Sequence, residues 1–204
     1  MNSEGKIDNN HLIAVTMGDP AGIGPEVCIK AMLEVQVPED CILLLLGNIR
    51  SAQNAMDLLL EGSKKIFPVK DIRDISSNPD LINVFEVNRL QKDDFKIGEV
   101  SHEAGKASVE YVLKAGQLAI DGQISAIVTA PINKEACRLA GFSDIGHMEI
   151  FQSQTNSKEV ATMLIAENLR VVHLTTHKSL KKACDYVTKE NVLSKIILTN
   201  TYFQ

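Results

Sequence analysis

Residues 12–26, LIAVTMGDPAGIGPE, limit most strongly what this chain can fold into. The run 12–17 is apolar and strand-sized, as expected of a buried parallel strand, and Gly18-Asp19-Pro20 ends it in a loop. Pro25 and Glu26 then suit the first turn of a helix, where a missing N–H is harmless and a carboxylate meets the positive end of the helix dipole. Strand, glycine loop and helix in succession are the opening of an α/β unit. Two phosphate-binding motifs are excluded. A dinucleotide fingerprint starting at Gly22 and Gly24 would need glycine at Val27, and Leu46 stands where an acidic residue would hold a ribose. Gly105-Lys106-Ala107-Ser108 resembles the end of a P-loop, but Val100 replaces its first glycine and Ala107 its hydroxyl residue.

The same alternation continues along the chain. Helix is expected over 27–33, and strand over 41–46 (CILLLL), closed by Gly47-Asn48. Helix 50–60 carries Ala52, Ala55, Met56 and Leu59 or Leu60 on one face, with Gly62 as its stop. Strands are expected over 66–69 and 81–87 across the turn-rich SSNPD, followed by a charged surface excursion over 91–100. Helix 103–120 presents Ala104, Ala107, Val112, Ala115 and Ala119 as a small apolar face for close packing on a sheet. Residues 124–129 (ISAIVT) read as a buried strand leading through Ala130-Pro131-Ile132-Asn133 into another helix. Strands 160–166 and 170–175 are joined by Glu167-Asn168, a helix follows over 180–186, and Thr188 can cap a last helix through 198. The pattern predicts an α/β fold with a mainly parallel sheet between helical layers, a three-layer α/β/α arrangement.

Charge and length exclude several partners. A net charge of −5 offers no basic field for a nucleic-acid backbone. No apolar run approaches the ~20 residues of a membrane-spanning helix, and the first ten residues lack the apolar core of a secretory signal, so a cytoplasmic location is expected. Cys28, Cys41, Cys137 and Cys184 are too dispersed for a zinc knuckle or a disulfide framework.

The chemistry-bearing residues concentrate in 143–178. His147 follows Gly146 in what reads as a turn, where its imidazole either hydrogen-bonds a polar substrate or marks an ordinary surface turn. His173 and His177 lie four apart in a strand-like context, about 13 Å along an extended chain, too far for a common metal. His173 is therefore expected to be a packed, hydrogen-bonded residue, whereas His177, at the strand's carboxyl end, is either a ligand or a plain loop histidine. Asn133 and Lys134 read either as a helix cap with a solvated charge or as an anion contact. Asp19 reads as a turn residue or a ligand contact.

Taken together and in order, VTMGDPAGIGPEV, TAPINKEA, GHMEIF and LTTHKSLKKA resemble the 4-hydroxythreonine-4-phosphate dehydrogenase family of vitamin B6 biosynthesis. The resemblance implies an isocitrate/isopropylmalate dehydrogenase-like fold, incomplete at the C-terminus, with residues 1–123 in a first α/β domain and 124–204 beginning a second. It implies that His147 and Met148 occupy the family's substrate-binding His-Thr pair, Met148 lacking the threonine hydroxyl. His177 would be one of three histidines on a catalytic divalent metal, with zinc first and magnesium or cobalt as alternatives. The implied reaction is NAD- or NADP-dependent oxidation of 4-phosphohydroxy-L-threonine to 2-amino-3-oxo-4-(phosphooxy)butanoate, which decarboxylates to 3-amino-2-oxopropyl phosphate, in a homodimer whose subunits share the active site. The 204-residue chain by itself is expected to be inactive. Two alternatives stand beside this reading: a D-threonate or D-erythronate 4-phosphate dehydrogenase, and a non-catalytic binding or dimerisation module.

Overall fold

The computed structural model describes residues 11–59, 64–91, 93–143, 146–176 and 178–203. The chain forms two compact units, Met1–Thr155 and Asn156–Gln204. In the first, five parallel strands lie in the order β3-β4-β2-β1-β5. They are β1 (His11–Thr16), β2 (Cys41–Gly47), β3 (Lys65–Val69), β4 (Leu81–Glu86) and β5 (Ala126–Thr129). Pro68, which cannot donate to a ladder, sits in β3 at one edge of the sheet.

The central strands are apolar along their whole length because helices cover both faces. Alternate side chains divide them. Val15, Met17 and Leu45 pack with Cys28, Ile29 and Met32 of α1 (Gly24–Glu34) and Ala52, Ala55 and Met56 of α2 (Ile49–Leu59). Leu12, Ala14, Leu44 and Leu46 pack with Ala115 and Leu118 of α3 (His102–Ile120). Ala104, Ala107, Val112 and Ala115 are buried as expected, but Ala119 is exposed and Leu118 takes the buried place.

Two readings change in this unit. Residues 124–129 were expected to form a buried strand, yet β5 is an edge strand and Val128 is 53% exposed, because the described sheet supplies a neighbour on the β1 side alone. A first domain was expected to close at 123, whereas β5 pairs in register with β1 from Ile13↔Ala126 to Thr16↔Thr129 and so belongs to the first sheet. Residues of α4 (Lys134–Leu139) and α5 (His147–Thr155) then pack against α3.

The second unit begins with an antiparallel hairpin, β6 (Met163–Ala166) and β7 (Leu169–Val172), whose end pair Ala166↔Leu169 leaves Glu167-Asn168 as a two-residue turn. Glu167 has φ +49°, the left-handed conformation such tight turns need. The second strand ends at Val172, earlier than expected, so His173 lies just beyond it. Ser179 caps α6 (Leu180–Tyr186) and Thr188 caps α7 (Lys189–Thr201). No described residue of this unit is buried, and Leu180, Ile196 and Tyr202 are largely exposed apolar side chains.

Candidate functional site at the carboxyl edge of the sheet

The loops leaving β1 and β5 are fastened to each other. The Ala130 amide donates to the Thr16 carbonyl (3.1 Å) and the Asp19 amide to the Pro131 carbonyl (2.9 Å). Gly18 makes this approach possible. Its φ is +75°, and a Cβ there would come closer to the Pro131 oxygen than the 3.0 Å that Cβ atoms essentially never breach. Asp19 is a turn residue: it is buried, and its carboxylate accepts from the Ala21 amide at 2.8 Å. Burial pushes the Asp19 carboxyl up, and hydrogen bonds from Ala21 and Gly22 oppose that shift.

Asn133 ends the β5 loop by capping α4, its side chain accepting from the Glu135 and Ala136 amides at 2.9 and 3.1 Å. That is the capping reading of Asn133, and Lys134 is an exposed charge. His147 reaches the same loop from the first position of α5, a helix rather than the expected turn. The helix is held on α3 by Ile150, which packs with Val109 and Val112, and by Gln154, which donates to the Leu113 carbonyl at 2.9 Å. The His147 ring hydrogen-bonds the backbone of Ala130, while its Nε2 is buried and without a partner among the described residues. With Nε2 unpartnered, the bond to Ala130 is assigned to Nδ1, and that tautomer leaves Nε2 a lone pair. Burial is the largest influence on the ring and holds its pKa below the ordinary 6.5. Met148 is next on α5 and 36% exposed.

A second polar cluster, anticipated by no spacing rule, lies at the end of β2. Asn48 donates to the Asn88 carbonyl (3.2 Å) and accepts from the Ser51 amide (3.0 Å). Asn88 in turn donates to Glu110 (2.8 Å) and accepts from the Tyr111 hydroxyl (3.2 Å). Gly47-Asn48 after a strand was the one available signal, and it reads equally well as a plain turn. Beside this cluster lies a cavity of about 420 Å³. A larger hollow of about 510 Å³ lies at the opposite, amino-terminal edge and shares no residue with these loops.

In the second unit His173 is half-buried, and its amide donates to the Thr162 carbonyl at 3.0 Å. His177, the candidate metal ligand, lies outside the described residues. Among the described residues no three His, Cys, Asp or Glu side chains are grouped to hold a metal ion, so they do not by themselves make up a metal centre. No helix among them is long and apolar enough to cross a membrane.

The chain is similar to known proteins over most of its length. The chain is 39% identical over 191 residues to a Clostridium botulinum protein provisionally named D-threonate 4-phosphate dehydrogenase, covering 94% of this chain and 57% of that protein. It is 31% identical to the Salmonella typhimurium D-threonate 4-phosphate dehydrogenase, with 94% and 58% covered. A 4-hydroxythreonine-4-phosphate dehydrogenase from Burkholderia phymatum superposes with a TM-score of 0.84 at 34% identity, again over 94% of this chain and 58% of that one. The chain thus spans less than two thirds of the length of these relatives. Residues 39–204 match the family described as pyridoxal phosphate biosynthetic protein PdxA, and with a parallel α/β sheet of the same architecture the chain belongs to that family.

Proposed function

We propose that this chain supplies the substrate-binding wall of a nicotinamide-dependent dehydrogenase acting on the secondary alcohol of a four-carbon, 4-phosphorylated hydroxy acid. The observation that carries the proposal is the buried, unpartnered Nε2 of His147 at the carboxyl edge of a parallel sheet, where ligands of such folds bind. Bonded to the Ala130 backbone and with its pKa lowered by burial, the ring offers Nε2 as an acceptor for a substrate hydroxyl. It fixes that hydroxyl's direction and holds its proton in a hydrogen bond. The β5–α4 loop and α5, both braced on α3, keep the acceptor in place. When bound, a nicotinamide cofactor supplies the hydride acceptor. We assign His177 as a single ligand to a divalent metal, zinc first. The homodimer with a shared active site and the cytoplasmic location belong to the same proposal; the first rests on the family resemblance and the second on the composition of the chain.

D-threonate 4-phosphate is the substrate favoured. Relatives at 39% and 31% identity carry that name, and Met148 offers no hydroxyl to a substrate amino group. 4-Phosphohydroxy-L-threonine is the second reading, supported by the family's description and by the named function of the solved relative. Shifts of the His147 ring resonances on adding each compound to this chain, and NADH formation by the dehydrogenase that contains this wall, separate them: a response to D-threonate 4-phosphate alone is expected. If neither compound is oxidised and neither shifts the His147 ring resonances, the proposal is wrong.

A further inference from the structure

α5 is only nine residues long, and it meets α3 along one stripe. His147, Ile150, Phe151 and Gln154 recur at helical spacing and so share a face, with His147 on the first turn and Gln154 two turns further on. Ile150 and Phe151 pack among Val109, Val112 and Leu113. Apolar contacts of this kind press α5 onto α3 without fixing where along α3 it sits, because they have no direction. Gln154 supplies the direction: its Nε2 donates to the Leu113 carbonyl at 2.9 Å.

Both sides of this bond carry a local cost. Gly116 lies buried within α3, where alanine would favour the helix. A Cβ there would meet Oε1, Cδ and Nε2 of Gln154 before any other atom, so the missing methyl is the room in which the carboxamide sits. Gln154 for its part buries Oε1 with no hydrogen-bond partner among the described residues, which an apolar side chain of similar length would avoid. Two departures from local preference at one contact mark a position that packing alone does not explain. What it positions is at the other end of the helix. The His147 ring meets the Ala130 backbone, and Ala130 leads into α4, which also sits on α3 through a glycine: a Cβ at Gly105 would run into the Ala136 carbonyl. One helix is thus the common seat of the ring and of the loop it bonds.

We infer that Gln154 is a positioning residue for His147: by locking α5 along α3 it sets how the ring meets the Ala130 backbone and therefore where Nε2 points. Without the lock the helix shifts on its apolar stripe, and the ring leaves its buried place at the carboxyl edge. That this aim serves a substrate hydroxyl rests on the dehydrogenase reading, whereas the lock itself is tested on the ring and needs no substrate. The direction of the response follows from the surroundings of the ring. Burial lowers its proton affinity and is the largest influence, while the Ala130 bond and the Glu149 charge raise it. Release from both burial and the Ala130 bond is therefore a net rise toward the ordinary 6.5.

The His147 ring resonances are followed through a pH titration of the whole chain, with thermal melts to verify folding. The variants are Gln154→Leu, Gly116→Ala, Gln154→Ala and the last two combined. Met56→Ala, a truncation in the core that α2 shares with the sheet, controls for a general loss of stability. Gln154→Leu and Gly116→Ala are each expected to raise the proton affinity of the ring about twofold or more and to bring the two ring nitrogens closer to the average of the two tautomers. In the combined variant Gly116→Ala should add nothing to Gln154→Ala, since the methyl then meets no carboxamide. A ring that titrates alike in the unsubstituted chain and in both variants, a shift of the same size in Met56→Ala, or an equal effect of Gly116→Ala with and without Gln154 would each overturn the assignment. If Gln154→Leu does not fold, the Gly116→Ala comparison decides alone. Should D-threonate 4-phosphate leave the unsubstituted ring unmoved while the variants shift it, the role of Gln154 stands and the substrate reading fails; the converse result removes that role and leaves the substrate reading intact.

Discussion

Gly18→Ala isolates the contact that joins the two loops of the site. Three costs add at this position. An L-residue at φ +75° costs about 1–2 kcal/mol. The new Cβ would meet the backbone of Pro131 and lie 3.0–3.1 Å from Ala130, and a backbone displaced to relieve such crowding costs about 1–3 kcal/mol. That displacement also strains the 2.9 Å bond from the Asp19 amide to Pro131, whose net worth is about 1 kcal/mol. The expected total is about 4 kcal/mol, a large part of the stability of an ordinary domain. Gly98→Ala is the matched reference. Its φ is +82° and a Cβ there meets nothing within 4 Å, so only the conformational cost of about 1–2 kcal/mol applies. With a urea dependence of about 2 kcal/mol per molar, Gly18→Ala should lower the unfolding midpoint by about 2 M and Gly98→Ala by less than half of that. Far-UV circular dichroism reads the midpoint, and amide exchange in β1 reports whether the loss is local. If the two variants agree within about 0.5 kcal/mol, the β1 and β5 loops are not in contact and the substrate wall described here does not exist.

Two other perturbations test the same wall. Asn133→Ala removes the side chain that accepts from two amides at the start of α4 and should cost about 1 kcal/mol, seen as faster exchange of the Glu135 and Ala136 amides. Because burial keeps His147 below its ordinary 6.5, the unfolded chain binds more protons than the folded one below that value. Its contribution to stability is therefore fully present above pH 6.5 and is lost as pH falls from there through the folded pKa. Urea midpoints measured at about pH 7 and about pH 5 should differ less in His147→Gln than in the unsubstituted chain; an unchanged difference would show the ring to be solvated.

Local rules were enough for much of the fold. Thr188 before a helix, Glu167-Asn168 between apolar runs and Pro25 inside a first turn each act through the backbone of the next few residues, and each is found where those rules put it. Failures arose where the outcome depends on partners distant in sequence. Nothing local tells that residues 126–129 pair only with β1, so an apolar run that reads as buried lies at an edge. The site divides in the same way. Asp19 and Asn133 were legible as turn and cap residues because they bond to amides two or three positions on. The burial of His147 against Ala130 and the chain of bonds from Asn48 through Asn88 to Tyr111 span up to 40 residues of sequence, and no spacing rule reaches that far.

Met17 is fully buried just past β1, and two glycines close on it: Gly24 lies against its carbonyl, and Gly47 against its thioether. The β1–α1 turn therefore meets Met17 through its backbone, and the end of β2 meets it through its side chain. A bulkier residue at Met17 would press on Gly47 and leave the Gly24 contact, which is made to the backbone, in place, so variation at this position reaches the β2 side of the edge and spares the β1–α1 turn. A flexible thioether suits that position, because it absorbs small shifts at the end of β2 without passing them to β1.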